Sequence, residues 1–415
     1  MQQQRKPDFE LVSPAQHYDY LHTPVHGTAV LWERAGEGHW HKLSPGDAHI
    51  PALLAAQAGQ SDRYITVNQF WGWRLVRNIR SLRALYVDVD NSEDLPAALE
   101  ALRDAQLPTP SFVVFSGRGM HLYWLHDPVP GQALPVWQRC QDAIIKALAG
   151  VGADSAARDC ARVLRLVGSI NSKNAREVRG LVLDPAPYGF RHLCDEVLGY
   201  REPRPAKVLD LSTAKAHRGQ RTRTGSIYDR WHLVYQDLLK IAEWHFLGGI
   251  PHGHRDNWLF LCATALSWFA HPHTLRDELE RQAHAWTPGL TSQEVRAAIQ
   301  SPLERAGLAA EGKMLEWQGS EVDPRYRFRR ETLWQRMRDI IPVELAPQLR
   351  AIVSAEVKAE HEKFREAKRD RVAEGRHKAR KAGRPVDERS AAQVRPWEEL
   401  GISRATYYRQ KKAGA

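Results

Sequence analysis

Between residues 60 and 185 the chain alternates short runs of β-branched and aromatic residues with segments whose apolar positions recur every three or four residues. Residues 83–90 (RALYVDVD) read as a strand that ends in carboxylates, and 94–105 carry helical spacing. Residues 111–125 read as two strands joined at Ser116-Gly117-Arg118-Gly119. An amphipathic helix is expected over 135–148, and 163–170 is strand-like or extended. Strands alternating with helices predict an α/β or α+β domain with a mixed sheet. The first sixty residues are rich in His, Gly and Pro and show no clear period.

The pattern changes after residue 200. Residues 200–224 are punctuated by Pro and basic side chains and read as a linker. From 227 to about 308 the period is helical throughout, which predicts a second, all-α domain with Asp256 or Asn257 capping a helix. A highly charged stretch follows over 355–381, its basic end running on through Gly383-Arg384-Pro385, and residues 396–412 read as two short helices about a glycine turn. The expected division is 1–205, a linker 206–225, a helical domain 226–350, a charged helix and basic arm 351–385, and a terminal segment 386–415.

Composition narrows the class. At 415 residues and 43% hydrophobic the chain supports two or three packed domains. Its net charge of +10 favours a polyanionic partner. Four widely spaced cysteines with no C-x-x-C pair argue against a zinc ribbon or a disulfide framework, so reduced, buried thiols are expected. The N-terminus lacks an apolar signal core and no stretch approaches a membrane span, so a cytoplasmic protein with no membrane partner is expected.

Three pieces carry candidate chemistry. In Asp88-Val89-Asp90 the carboxylates sit at i and i+2 of a strand, on one face, and two like charges that close favour a divalent cation between them. Taken alone, the same residues equally open a surface turn. The Ser116–Gly119 turn can bring backbone N–H groups close to phosphate oxygens, with Arg118 and His121 as positive or donor groups. Asp154, followed by Arg162, Arg165 and Lys173, offers another carboxylate and cations suited to a triphosphate.

In that order the three pieces resemble the motifs of the archaeo-eukaryotic primase superfamily, and residues 162–173 (RVLRLVGSINSK) look especially like the primases of plasmids and phages. The resemblance covers roughly residues 60–185. It implies an RRM-like α+β catalytic domain with Asp88, Asp90 and Asp154 as catalytic, Mg²⁺- or Mn²⁺-binding carboxylates. It further implies Ser116, Arg118, His121, Arg162, Arg165 and Lys173 around a nucleoside triphosphate. One departure stands out: where the family often has Ser-x-His, this chain has Gly119 before His121. The helical region is similar to the domains that follow such catalytic domains and assist primer initiation.

The terminal segment looks like the helix-turn-helix of recombinases and small regulators, with Ser403 as cap and Arg404, Thr406, Tyr407 and Arg409 on the second helix. Arg384 would belong to a minor-groove arm. The partners implied are single-stranded template DNA, nucleoside triphosphates, double-stranded origin DNA and, as a candidate, a replicative helicase. Two rivals compete with a replication primase. One is a non-catalytic origin-binding initiator. The other is a rolling-circle nickase using His39 and His41 with Tyr18 or Tyr20 as nucleophile, disfavoured because no strand and no third ligand is evident there.

Overall fold

A computed structural model describes residues 9–34, 38–199, 226–360 and 362–363 of the chain. The chain divides into two compact units, Met1–Val353 and Ser354–Ala415. The expected linker, the basic arm with Arg384, and the terminal segment with Ser403, Arg404, Thr406, Tyr407 and Arg409 lie outside the described residues.

The first unit begins β1 (Phe9–Leu11), α1 (Pro14–His22), β2 (Ala29–Glu33), β3 (His39–Leu43), α2 (Ile50–Ala55), β4 (Arg63–Thr66) and β5 (Gln69–Phe70). It continues through β6 (Ile79–Val89), α3 (Leu95–Asp104), β7 (Phe112–Phe115), β8 (Met120–Val129) and α4 (Leu134–Ala147). Four short strands follow, β9 (Val163–Arg165), β10 (Ile170–Asn171), β11 (Arg176–Glu177) and β12 (Arg179–Val182), and then α5 (Phe190–Val197). One sheet has six strands in the order β1-β12-β7-β8-β6-β5, and a second has four in the order β3-β2-β4-β9.

The α+β class is as the pattern predicts. The ladders between these strands are antiparallel throughout, in place of the mixed sheet expected, and parallel pairing is confined to isolated bridges such as Ser61 with Ile170. The tight hairpin between β7 and β8 fixes that sense, because a connection so short joins only antiparallel neighbours. A further difference is β3, a regular strand in a stretch where none was legible. Its half-exposed residues alternate too weakly in polarity to announce it.

The long strand β6 is buried along nearly all its length and pairs with β8 from Leu82 to Val89. Side chains satisfy much of its other edge. Asn68 accepts from the Arg83 N–H at 2.8 Å, the Trp137 indole donates to the Ala84 carbonyl at 3.0 Å, and Gln141 bonds both the N–H and the C=O of Tyr86. Helix α4, which supplies Trp137 and Gln141, therefore seals an edge that buried backbone groups would otherwise leave unpaired.

The helical part comprises α6 (Ile227–Trp244), α7 (Arg255–Leu266), α8 (Pro272–Trp286), α9 (Ser292–Ala310) and α10 (Arg330–Met337). It is not all-α. Residues Leu315–Trp317 and Ser320–Val322 form a β-hairpin, β13–β14, whose turn residues Gln318 and Gly319 both take positive φ. Two consecutive left-handed residues suit the right-handed twist of paired strands, and glycine takes that conformation without a Cβ penalty. The cap of α7 also differs from expectation: it is His254, with Asp256 in the first turn and Asn257 bonded to Arg336. The buried Glu278 carboxylate accepts from the Val76 N–H at 2.8 Å and the Arg77 N–H at 3.3 Å, which ties α8 to the segment entering β6. All four cysteines are free and buried.

Candidate active site

The end of β6 sets the carboxylates. Asp88 lies directly opposite His121 of β8, and the His121 Nε2 is 3.5 Å from Asp88 Oδ1. Beyond β8's partner strand, the segment 152–154 adds a backbone clamp. Asp90 N–H donates to the Gly152 carbonyl at 3.0 Å, and Asp154 N–H donates to the Asp88 carbonyl at 2.8 Å. The clamp holds Asp88 and Asp90 at the rim of a cavity of about 650 Å³, a size ordinary for small-ligand sites.

That cavity collects most of the residues singled out from the sequence. Asp88, Asp90, Ser116, Arg118, His121, Arg162, Arg165 and Lys173 all line it. Asp154 does not. Its carboxylate accepts from the Ala156 N–H at 2.8 Å, although its charge still reaches both other carboxylates. Among the described residues no group of three His, Cys, Asp or Glu side chains is gathered closely enough to hold a metal ion.

The cavity brings carboxylates and cations together. Burial pushes the Asp88 carboxyl up to about 6, against the pull of Arg162, with the Asp154 charge adding to the rise. Asp90 is raised as well, by desolvation and then by Asp88 and Asp154. Carboxylates that burial and mutual repulsion both disfavour are ones a bound cation would relieve, so Asp88 and Asp90 fit a divalent metal as two of its ligands. His121 is pulled down to about 3 by burial first, then by Arg165 and Arg162, so it is a neutral ring at pH 7. Its buried Nδ1 has no protein partner among the described residues.

Two of the cations that line the cavity are positioned by carboxylates the sequence did not single out. Arg162 Nε lies 3.1 Å from the buried Asp159. Burial works against the guanidinium charge, but Asp159, Tyr86 and Asp88 together hold it up. Arg165 Nη1 donates to Asp62 Oδ1 at 2.8 Å, and Asp62 also accepts from the Ser172 hydroxyl. Lys173 and Arg118 are exposed at the mouth.

Ser116 has a structural task in the turn. Its hydroxyl donates to the Gly119 carbonyl at 2.9 Å and accepts the Gly119 N–H at 3.2 Å. Gly119 itself explains the departure from Ser-x-His. A Cβ there would fall 2.1 Å from the Val89 carbonyl oxygen, so only glycine lets the turn approach β6 this closely.

Several lining residues were missed: Trp32, Arg34, Trp40, Tyr64, Arg74 and Asp159 from the sheet-bearing part, and His271, His273 and Thr274 from the start of α8. They come from six separate stretches, and no local motif links them. Of the nickase alternative, His39 and His41 lie together on β3, their rings 4.8 Å apart and His41 Nε2 3.0 Å from Glu33 Oε1. Its tyrosines are otherwise engaged: Tyr18 is buried in the core, and the Tyr20 hydroxyl donates to the Asp184 carbonyl.

No known family profile matches the chain. It is 28% identical over 332 residues to a replication protein of Clostridium perfringens, covering 76% of this chain and 74% of that protein. Solved structures similar in part include the archaeo-eukaryotic primase domain of the cyanophage S-2L primase-polymerase, at 21% identity over 45% of this chain and 96% of that one, TM-score 0.35. Primase RepB′ is similar at 16% identity over 72% and 93%, TM-score 0.29. The catalytic domain of primase RepB′ in complex with initiator DNA is similar at 17% identity over 50% and 96%, TM-score 0.30. The chain is thus an α+β protein with a carboxylate-and-arginine cavity, similar to replication proteins. The match to the clostridial replication protein is too long to fall within the sheet-bearing or the helical part alone. Among the described residues no helix is long and apolar enough to cross a membrane.

Proposed function

We propose that this chain is a DNA primase or primase-polymerase, a nucleotidyltransferase that extends a nucleic-acid strand on a single-stranded DNA template. One observation carries the reading: Asp88 and Asp90 line a single cavity together with Arg118, Arg162, Arg165 and Lys173, and neutral His121 lies beside Asp88. That arrangement suits an incoming nucleoside triphosphate, its phosphates against the cations and its α-phosphate near the carboxylates.

Asp88 and Asp90, with Asp154 beside them, would hold Mg²⁺ or Mn²⁺. Such ions lower the pKa of an attacking 3′-hydroxyl and stabilise departing pyrophosphate. His121 can donate one ring N–H to a phosphate oxygen without adding charge, and Arg162 and Arg165 offset charge that develops on the transferring group. No protein nucleophile is needed. In this reading residues 1–205 form the catalytic part, 226–350 the helical part, and 386–415 the reader of double-stranded origin DNA, with Arg384 in its arm; a replicative helicase is a further candidate partner.

The test incubates the full chain with single-stranded template, labelled nucleotides and Mg²⁺ or Mn²⁺. Primer synthesis that disappears in Asp88→Ala and Asp154→Ala supports the reading, and its absence from the unaltered protein overturns it. A non-catalytic origin-binding initiator is the second reading, favoured by the Asp154 side chain turning away from the cavity. It predicts origin binding with no synthesis.

A further inference from the structure

The four-stranded sheet carries a feature that nucleotide binding leaves unused. Trp40 of β3 pairs directly with Trp32 of β2, Trp32 with Tyr64 of β4, and Tyr64 with Arg165 of β9. The four side chains therefore form one row straight across the sheet. Their neighbours Leu31 and Ile65 point to the opposite face and are buried in its core. The row faces the cavity, since Trp32, Trp40, Tyr64 and Arg165 all line it. Ring centroids are 5.0 Å apart from Tyr64 to Trp32 and 5.1 Å from Trp32 to Trp40. Trp73 extends the row beyond the sheet, 5.6 Å from Trp40.

Cations sit along the rings. Arg165 lies 5.1 Å over Tyr64 and Arg74 4.3 Å over Trp40, while Trp73 has Arg281 at 5.3 Å and Lys42 at 6.0 Å. Cross-strand aromatic pairs stabilise any sheet, but that role does not call for half-exposed rings opening on a polar cavity, nor for a cation at almost every step. Aromatic rings and positive charge set along a line suit single-stranded nucleic acid, with bases packing on the parts of the rings that their neighbours leave exposed and phosphates against the arginines. A duplex hides its base faces and has no use for such a row.

We propose that the row from Arg165 through Tyr64, Trp32 and Trp40 to Trp73 is the bed of a single strand of nucleic acid, leading from the carboxylates toward Arg281 on α8. Naming that strand as template DNA rests on the primase reading; the single-strand site itself does not. The row also assigns the helical part a share in the site through Arg281, so α8 and β3 grip the strand from two sides at Trp73.

The test uses the full chain with a fluorescent oligothymidylate and a matched oligonucleotide carrying 5-iodouracil for photo-crosslinking. Crosslinks are expected at Trp32, Trp40, Tyr64 or Trp73. Trp40→Ala should weaken single-strand binding by between about 5- and 150-fold, the range for losing one stacked base, with Trp40→Phe retaining most of the affinity and duplex binding unchanged. Should Trp40→Ala fold poorly, the exposed Lys42 and Arg281 provide the second arm: each changed to Ala should lower the salt dependence of binding by about one phosphate contact. Crosslinks confined to other segments, with affinity and salt slope unchanged in these variants, overturn the proposal. Primer synthesis by an unaltered row-independent binder would leave the primase reading standing alone. Crosslinking to the row without any synthesis would leave the single-strand site standing and remove the primase reading.

Discussion

The two larger sheets of the first unit place opposite charges on one cavity, and they do so by opposite means. The six-stranded sheet delivers Asp88 and Asp90 at the end of a buried strand whose free edge is sealed by Asn68, Trp137 and Gln141. The four-stranded sheet delivers Arg165 on the face that lines the cavity, paired with Asp62 and laid over Tyr64. The acidic side is compensated only in part, so burial raises its carboxyls even against the pull of Arg162; the basic side is met by carboxylates and rings. The contrast teaches that a charge compensated only in part marks where a ligand of opposite sign is wanted, and one met by partners marks where a side chain is being aimed.

The sharpest way to break that contrast is to remove the partly compensated charge. Asp88→Ala should lower primer synthesis on the order of 100-fold or more, the scale of losing metal-assisted charge stabilisation, while a thermal melt shows the fold retained. Loss of folding with no synthesis defect in a milder Asp88→Asn variant would assign the residue to structure instead. A steric change should act on stability rather than chemistry. Gly119→Ser, which restores the common Ser-x-His pattern, puts a Cβ against the Val89 carbonyl and should cost about 1–3 kcal/mol in denaturant unfolding; an unchanged midpoint would sink the close-approach explanation.

Acid provides a probe of the buried framework around both sheets. His22 is buried, bonded through Nε2 to the Thr66 carbonyl at 2.9 Å, and pulled down to about 3 by burial and then by Arg83 and His17. A histidine with a depressed folded pKa contributes its full stability above the unfolded value near 6.5, and that contribution is lost as pH falls toward 3. Between pH 7.5 and pH 5 the unfolding free energy should drop by roughly 2 kcal/mol from His22, and His22→Gln should flatten that part of the profile. The smallest effect is expected at His41, half-exposed and bonded to Glu33. His41→Ala should change stability by about 0.5 kcal/mol and leave synthesis unaltered. Site-specific nicking that vanishes in this variant would revive the nickase alternative.

The elements nearest the site were legible because their periods are strong. Residues 94–105 and 135–148 were expected as helices, and the structure has Leu95–Asp104 and Leu134–Ala147. The hairpin about Ser116–Gly119 was expected from its glycines and is present. Strand β3 and hairpin β13–β14 were not legible, since each is short and mostly exposed, and solvent leaves little hydrophobic alternation to read. The cavity cations Arg162, Arg165 and Lys173 were found because they lie within one short run. Their partners Asp62 and Asp159 were missed, because nothing in a sequence says which carboxylate meets which arginine.

The amino-acid sequence by itself determined the α+β class, a strand that runs out at Asp88-Val89 with Asp90 in the turn beyond it, and the order of acidic, glycine-turn and basic segments. These depend on neighbours along the chain, where strand and helix periods act directly. The tertiary structure alone decided that the two sheets meet across one cavity, that Asp154 stands beside it and not in it, and that Trp40, Trp32, Tyr64 and Arg165 align in a single row. Those are matters of register between strands up to about a hundred residues apart, and register is settled by packing of the buried face, not by any local preference of the residues that the packing exposes.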